Sequence, residues 1–410
     1  MRDVLEEYKR VLLKDGFYII LSGSFLASMG NIMTNVALPW FLLSTSGSTS
    51  VTGFILFLSS IGGIMATPFV GLVMDKYPTK KVLIVQTVSC AVIVLMVVVL
   101  YALGLLPLWI LGIAFFLRGL LMTVYDISIA LVLSKLFDRD DQLQRANVLR
   151  TVFYYSQAIA SPLLSGFVIS RFGAPFALLA NGGLLVAFVF FLRAFKKDLP
   201  GVLGKEAAGV WRNLSDGLSY IFRSRLMWGV LLVMSTLNFT TEPLNLIIPN
   251  LVKNELKSDA MLLGWFFSAM YAGSLSGALL YEFFKHKKRL GLTLLLCNAG
   301  ICASLVLMAL FSRYVPMLIA SAYLQGFLVG PLDIASVTLR QRMVSSCQRG
   351  RVFSFTMIVN RSAASLGNAA SGLLLLSLGT RSVLCAFSLL LAAATYAAFR
   401  IKEFRSASLG

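Results

Sequence analysis

The sequence predicts an all-α membrane protein of twelve transmembrane helices in two pseudo-symmetric six-helix bundles. Three observations carry this reading. Apolar stretches alternate with short charged breaks along all 410 residues. The chain is 58% hydrophobic and 13% charged, where soluble domains carry roughly 25% charged residues. It also repeats itself once, with corresponding residues 206, 207 and 204 positions apart, the pattern of an internally duplicated membrane fold.

A hydrocarbon core about 30 Å thick takes about 20 apolar residues per helical crossing. Twelve segments meet that requirement: 16–43, 51–74, 82–103, 106–134, 146–170, 174–195, 226–250, 260–283, 290–311, 314–338, 353–376 and 382–400. A soluble core cannot use so many. Runs such as AVIVLMVVVLYALGLL (91–106) do not alternate, which excludes the period-two strands of a membrane barrel. The halves span 1–195 and 226–410. Between them, 196–225 places Val210, Trp211, Leu214, Leu218, Ile221 and Phe222 at helical spacing among Lys205, Arg212, Asp216 and Arg223. This predicts an amphipathic helix lying on the inner leaflet. Leu5, Tyr8 and Leu12, among Arg2, Lys9, Arg10 and Lys14, predict a shorter one at the start.

The repeat is visible residue by residue. Gly71 to Asp75 with Lys80-Lys81 returns as Gly277 to Tyr281 with His286-Lys287. Arg118-Gly119 with Asp126-Ile127 returns as Gln325-Gly326 with Asp333-Ile334, and Gln144-Arg145 with Val148 as Gln348-Arg349 with Val352. Each pair holds the same place in its half, so the bundles run in parallel, related by an axis along the membrane normal.

A net charge of +18 would suit nucleic-acid binding, but its placement argues otherwise. With a cytoplasmic N-terminus, five of the 36 basic residues fall outside (Arg171, Lys253, Lys257, Arg313, Arg381), Arg118 and Arg361 lie in spans, and the remaining 29 are inside. This positive-inside bias predicts a multi-pass protein of the cytoplasmic membrane with both termini cytoplasmic. Trp40, Trp109 and Trp228 fall near span ends, where aromatic belts form. The five cysteines form no CxxC pair, and neither a disulfide nor a metal site is expected. The first span is long and lacks a small-residue cleavage site, so no removable leader is expected.

Gly71-Leu-Val-Met-Asp75-Lys-Tyr-Pro-Thr-Lys80-Lys81-Val82 resembles the loop signature between spans 2 and 3 of the major facilitator superfamily, with Pro78 where that family often has glycine. Gly71 is expected to allow close helix approach, Asp75 to end a helix against basic groups, and Lys80 and Lys81 to hold the loop inside. Arg118, the loop Gln142-Leu143-Gln144-Arg145-Ala146-Asn147 and Gly350-Arg351-Val352-Phe353 make the chain similar to the macrolide-efflux and enterobactin-exporter branch. That resemblance implies the major facilitator fold and export of a small molecule from the cytoplasm. Pro162 and Gly166 are a remnant of a span-5 pattern of exporters, with Gln157, Ser161 and Ser165 replacing glycines. It implies antiport.

Charges inside the membrane mark the remaining candidates, because each costs at least about 2.5 kcal/mol on insertion scales and so faces a cavity or a partner. Asp126, Glu242 and Asp333 are candidate proton carriers. Asn31, Asn35, Arg118, Tyr125, Gln157, Asn238, Gln325, Asn360 and Arg361 are candidate cavity residues, with Tyr155 and Asn245 beside them; amides offer donors and acceptors without fixed charge. Gly71, Asp75, Lys80, Lys81, Arg145, Glu282 and Arg351 form a candidate cytoplasmic gate, in which Asp75 latches to Arg351 and Glu282 to Arg145. A permanent salt bridge is the alternative role for each intramembrane charge.

No nucleotide-binding loop and no catalytic constellation occurs, so neither an ATP-driven pump nor an enzyme is expected, and no cofactor. The leading expectation is a proton-coupled exporter of a drug, macrolide or siderophore-like solute, working as a monomer by alternating access. A lysolipid or lipid flippase on the same fold and a transporter-like sensor or partner-binding membrane protein stand as alternatives.

Overall fold

The structure, a computed structural model of the chain, describes residues 2–137, 139–197, 218–284, 289–344 and 346–406. The regular elements among them are helical: α1 (Arg2–Leu13), α2 (Phe17–Ser46), α3 (Thr49–Lys76), α4 (Thr79–Ala102), α5 (Leu108–Leu136), α6 (Asp140–Phe172), α7 (Ala174–Ala194), α8 (218–223), α9 (Arg225–Thr241), α10 (Leu244–Asn250), α11 (Met261–Phe284), α12 (Leu290–Leu310), α13 (Val315–Met343), α14 (Ser346–Phe399) and α15 (Lys402–Ser406).

Among the described residues eleven helical stretches are long and apolar enough to cross a membrane. The last, Arg351–Arg400, runs for 50 residues, more than twice what one crossing takes, about 20. Inside it Gly379 adopts φ 72°, ψ 167° and breaks α14. In the first half Gly173, with φ 90° and ψ 163°, separates α6 from α7. These dihedrals are open almost solely to glycine. The chain therefore turns on a glycine at the same place in each repeat, between spans 5 and 6 and between spans 11 and 12. The long stretch is two crossings, and the all-helical twelve-span architecture follows.

The chain divides into two compact units, Met1–Phe41 with Leu58–Ala207 and Leu42–Phe57 with Ala208–Gly410. In the first, α5 packs on α3 so closely that a Cβ at Gly119 would collide with the backbone carbonyl of Ser59. A core of Phe17, Phe137, Phe188 and Phe195 with Leu83, Ile129 and Leu192 fills the unit. Val11 of α1 belongs to this core, so the N-terminal amphipathic helix is docked on protein along one face. Polar bonds pin the same end. Arg145 at the start of α6 pairs with Glu7 at 2.6 Å, Lys14 Nζ donates to Gln142 Oε1 at 2.7 Å, and Lys197 pairs with Asp15 at 2.7 Å.

In the second unit α11 packs on α13 in the same manner, a Cβ at Gly326 meeting the carbonyl of Met270. Span 7 is discontinuous: α9 ends at Thr241, α10 starts at Leu244, and a π-helical turn, Leu251–Glu255, closes the segment. Pro243 at the break has no N–H to continue the ladder. The segment joining spans 1 and 2 groups with this unit. Thr49 Oγ1 donates to the Gly372 carbonyl at 3.0 Å, and Lys253 Nζ donates to Ser44 Oγ at 2.5 Å. The expected inner-leaflet helix at 210–222 falls largely on 198–217, outside the described residues. Its end is helical as α8, where Tyr220 donates to the Met343 carbonyl at 2.9 Å.

Candidate functional site

Three helices of the first unit converge on a polar chamber of about 130 Å³. α2 brings Ser24 and Ser28, α5 brings Tyr125 and Asp126, and α6 brings Arg150 and Gln157. Leu21, Phe25, Ile129, Phe153 and Tyr154 are the apolar walls. The α6 members Arg150, Phe153, Tyr154 and Gln157 are spaced three and four apart, which puts them on one helix face. Tyr125 is held from both sides. Its hydroxyl shares a 3.1 Å hydrogen bond with Ser28 Oγ and lies 3.3 Å from the Ser24 carbonyl, and its ring meets Phe188 edge-on. Gln157 is 4% exposed, and its Oε1 has no hydrogen-bond partner in the protein. A buried acceptor left so costs about 1–3 kcal/mol, and a donor in the chamber, a water or a group of a bound molecule, would satisfy it. The chamber thus offers an acid, a guanidinium, hydroxyls and an amide between aromatic walls, a lining for an amphipathic polar solute.

Other expected cavity residues lie elsewhere. Arg118 is 4% exposed and is not among the chamber's lining residues; it donates to Asn31 Oδ1 at 3.4 Å. Asn35 is exposed. In the second unit Glu242 sits at the break of span 7, where the side chain of Asn245 reaches its carbonyl at 3.1 Å and its Oε1 at 3.4 Å. Asn238 donates back to its own helix at Met234. Gln325, at the repeat position of Arg118, is 1% exposed with Oε1 unpartnered, and Asn360 Oδ1 is also buried and unpartnered. Arg361 is half-buried, and Asp333 is exposed two turns before Arg340 on α13. Arg340 stacks over Phe353, 5.0 Å from the ring centre, and bonds the Ser336 carbonyl.

The candidate gate residues divide likewise. Lys80 donates to the Phe195 carbonyl, Lys81 is exposed and Arg351 half-buried. Arg145 is engaged by Glu7. The side chains of Asp75 and Glu282 lie outside what the structure describes. Around Gly71 nothing stands within 4 Å of where a Cβ would be, among the described residues. Tight helix approach is served by Gly119 and Gly326 rather than by that glycine. Sequence reasoning missed Arg150, Ser24 and Ser28. The seven-residue spacing of Arg150 to Gln157 puts both on one helix face, but Arg150 stands near the inner end of span 5, where a basic residue looks like one more inner charge.

The profile of the Major Facilitator Superfamily matches residues 20–249 and again 237–408. The chain belongs to the major facilitator superfamily. Among curated superfamily relatives, an uncharacterized MFS-type transporter y4rN of Sinorhizobium fredii is 25% identical over 94% of this chain and 95% of its own length. Macrolide efflux protein A of Streptococcus pyogenes is 22% identical over 90% and 91%. The enterobactin exporter EntS of Shigella boydii is 23% identical over 87% and 84%. A variant of the nucleoside transporter NupG shares the major facilitator fold, with a TM-score of 0.80 at 15% identity, covering 94% of this chain and 99% of that one. The protein is a multi-pass membrane transporter rather than an enzyme.

Proposed function

We propose that the protein exports a small amphipathic molecule from the cytoplasm by alternating access, in exchange for protons, and that the chamber in its first unit binds part of that molecule. The observation that carries this reading is the convergence of Asp126, Arg150, Gln157 and Tyr125 on one cavity. The direction draws on likeness to proteins named for macrolide efflux and enterobactin export. Asp126 is the group of that lining that can exchange a proton and a solute at one place, so loading one would favour release of the other. Placing the positive charge of the loops inside puts the protein in the cytoplasmic membrane with both termini cytoplasmic.

The test is flux in inverted vesicles with an imposed pH gradient, screened against macrolides, siderophores and lysolipids. Accumulation of a macrolide or siderophore that collapses with the gradient supports the reading. Gradient-independent movement of lysolipid alone would replace it with lipid translocation.

A further inference from the structure

Arg118 poses a problem that the chamber does not solve. It sits mid-span on α5, 4% exposed. Among the described residues no carboxylate lies within ion-pair distance of it, and the ionisable group it feels is the Cys90 thiol rather than an acid. Its one hydrogen bond, to Asn31 Oδ1, is long at 3.4 Å, and its Nε has no partner. Its ionisable neighbour is Cys90 of α4, a fully buried thiol. One turn earlier on the same face of α4, Gln86 is 2% exposed, and its Nε2 also lacks a partner. That amide's oxygen already accepts from Thr87 Oγ1 at 3.1 Å, which leaves the nitrogen as the free end.

A buried cation with no counter-charge is strongly unfavourable, by several kcal/mol even after relaxation. Here a guanidinium N–H and an amide N–H are both buried and both unsatisfied, on helices α5 and α4 that pack together, the amide one turn from the thiol that neighbours the guanidinium. Donors without acceptors on two helices are what an anion requires, and a charged donor makes the stronger bond. The second repeat supplies a contrast: Gln325 stands at the equivalent place, neutral, and it is an acceptor, Oε1, that goes unpaired there. We propose that Arg118 and Gln86 form a buried anion site in the first unit, filled by a small anion such as chloride or by the acidic group of a transported molecule. The site is separate from the chamber and independent of the direction of transport.

The experiment uses the purified full-length protein in detergent. Thermal unfolding is followed in chloride, bromide or acetate against gluconate at constant ionic strength. Binding at several times to a hundred times the dissociation constant raises Tm by about 1–3 °C in a chain of 410 residues. That rise should vanish in Arg118→Met and in Gln86→Leu. A halide effect, with bromide anomalous density at Arg118 in crystals, identifies an inorganic anion. An acetate effect with halides silent identifies a carboxylate of the solute. Equal Tm in all four salts for the wild type overturns the proposal, as does a rise of the same size in both variants. Where Arg118→Met does not fold, Gln86→Leu and the bromide map on the wild type still decide.

Discussion

At the scale of single residues, the proposed mechanism separates the chamber groups that would orient a solute from Asp126, which would exchange a proton. Asp126→Asn keeps size and hydrogen bonding but removes the ionisable group. Gradient-driven flux should fall to background while binding of the solute found by the vesicle assay, measured at equilibrium, stays within a few-fold. Undiminished flux in this variant would remove Asp126 from coupling. Gln157→Leu and Arg150→Gln should act on affinity instead. A hydrogen bond to a charged group is worth about 1.5–3 kcal/mol and a neutral one about 0.5–1.5 kcal/mol. The apparent KM should therefore rise more for Arg150→Gln than for Gln157→Leu, and an unchanged KM in both would show that the chamber does not hold the solute. Asp126 stood out in the sequence because a lone acid in an apolar run is conspicuous. Arg150 did not, because a basic residue near an inner loop is the commonest thing in a membrane protein.

At the scale of helices, two devices recur in both halves. Gly119 and Gly326 let the fourth helix of each bundle lie backbone to backbone on the second. Valine at either place must push a helix away, an overpacking cost of about 1–3 kcal/mol. Each single variant should unfold in detergent at a lower temperature than the wild type, and an unaltered melting curve would mean that the helices have slack to absorb the side chain. Gly173 and Gly379 turn the chain between the last two spans of each bundle. Alanine there is forced into dihedrals that cost about 1–3 kcal/mol, so Gly379→Ala should lower Tm, where alanine replacing an ordinary helix-interior glycine would raise it. The Glu7–Arg145 pair is different. Both groups are part-exposed, at 45% and 30%, so Glu7→Gln should lower stability by no more than about 1 kcal/mol. The hydrophobic pattern of α1 was readable, but its docking was not. The partners Glu7 and Arg145 lie far apart in the chain, and either could equally have faced water.

At the scale of the whole molecule, orientation is the testable quantity. In a background without native cysteines, Lys81→Cys should react with a membrane-impermeant maleimide in inverted vesicles and not in intact cells. Lys257→Cys should do the reverse. The opposite labelling would invert the topology and with it the direction assigned to transport.

Sequence alone determined that this chain crosses a membrane about twelve times, that it is a duplication, and which intramembrane charges need explaining. The crossings and the cost of buried charge are sums of local transfer free energies, each residue contributing by its own polarity, and the duplication is a match of the chain to itself, so none of them needs knowledge of spatial neighbours. Tertiary structure decided the rest. It brought Asn31 to Arg118 across 87 residues, set Cys90 beside Arg118, and placed Arg150 and Asp126 on one cavity while leaving Arg118 out of it. Which faces of two apolar helices meet depends on the fit of small and large side chains along the whole interface. No single residue carries that information, and hydropathy is nearly uniform around each long membrane-spanning helix.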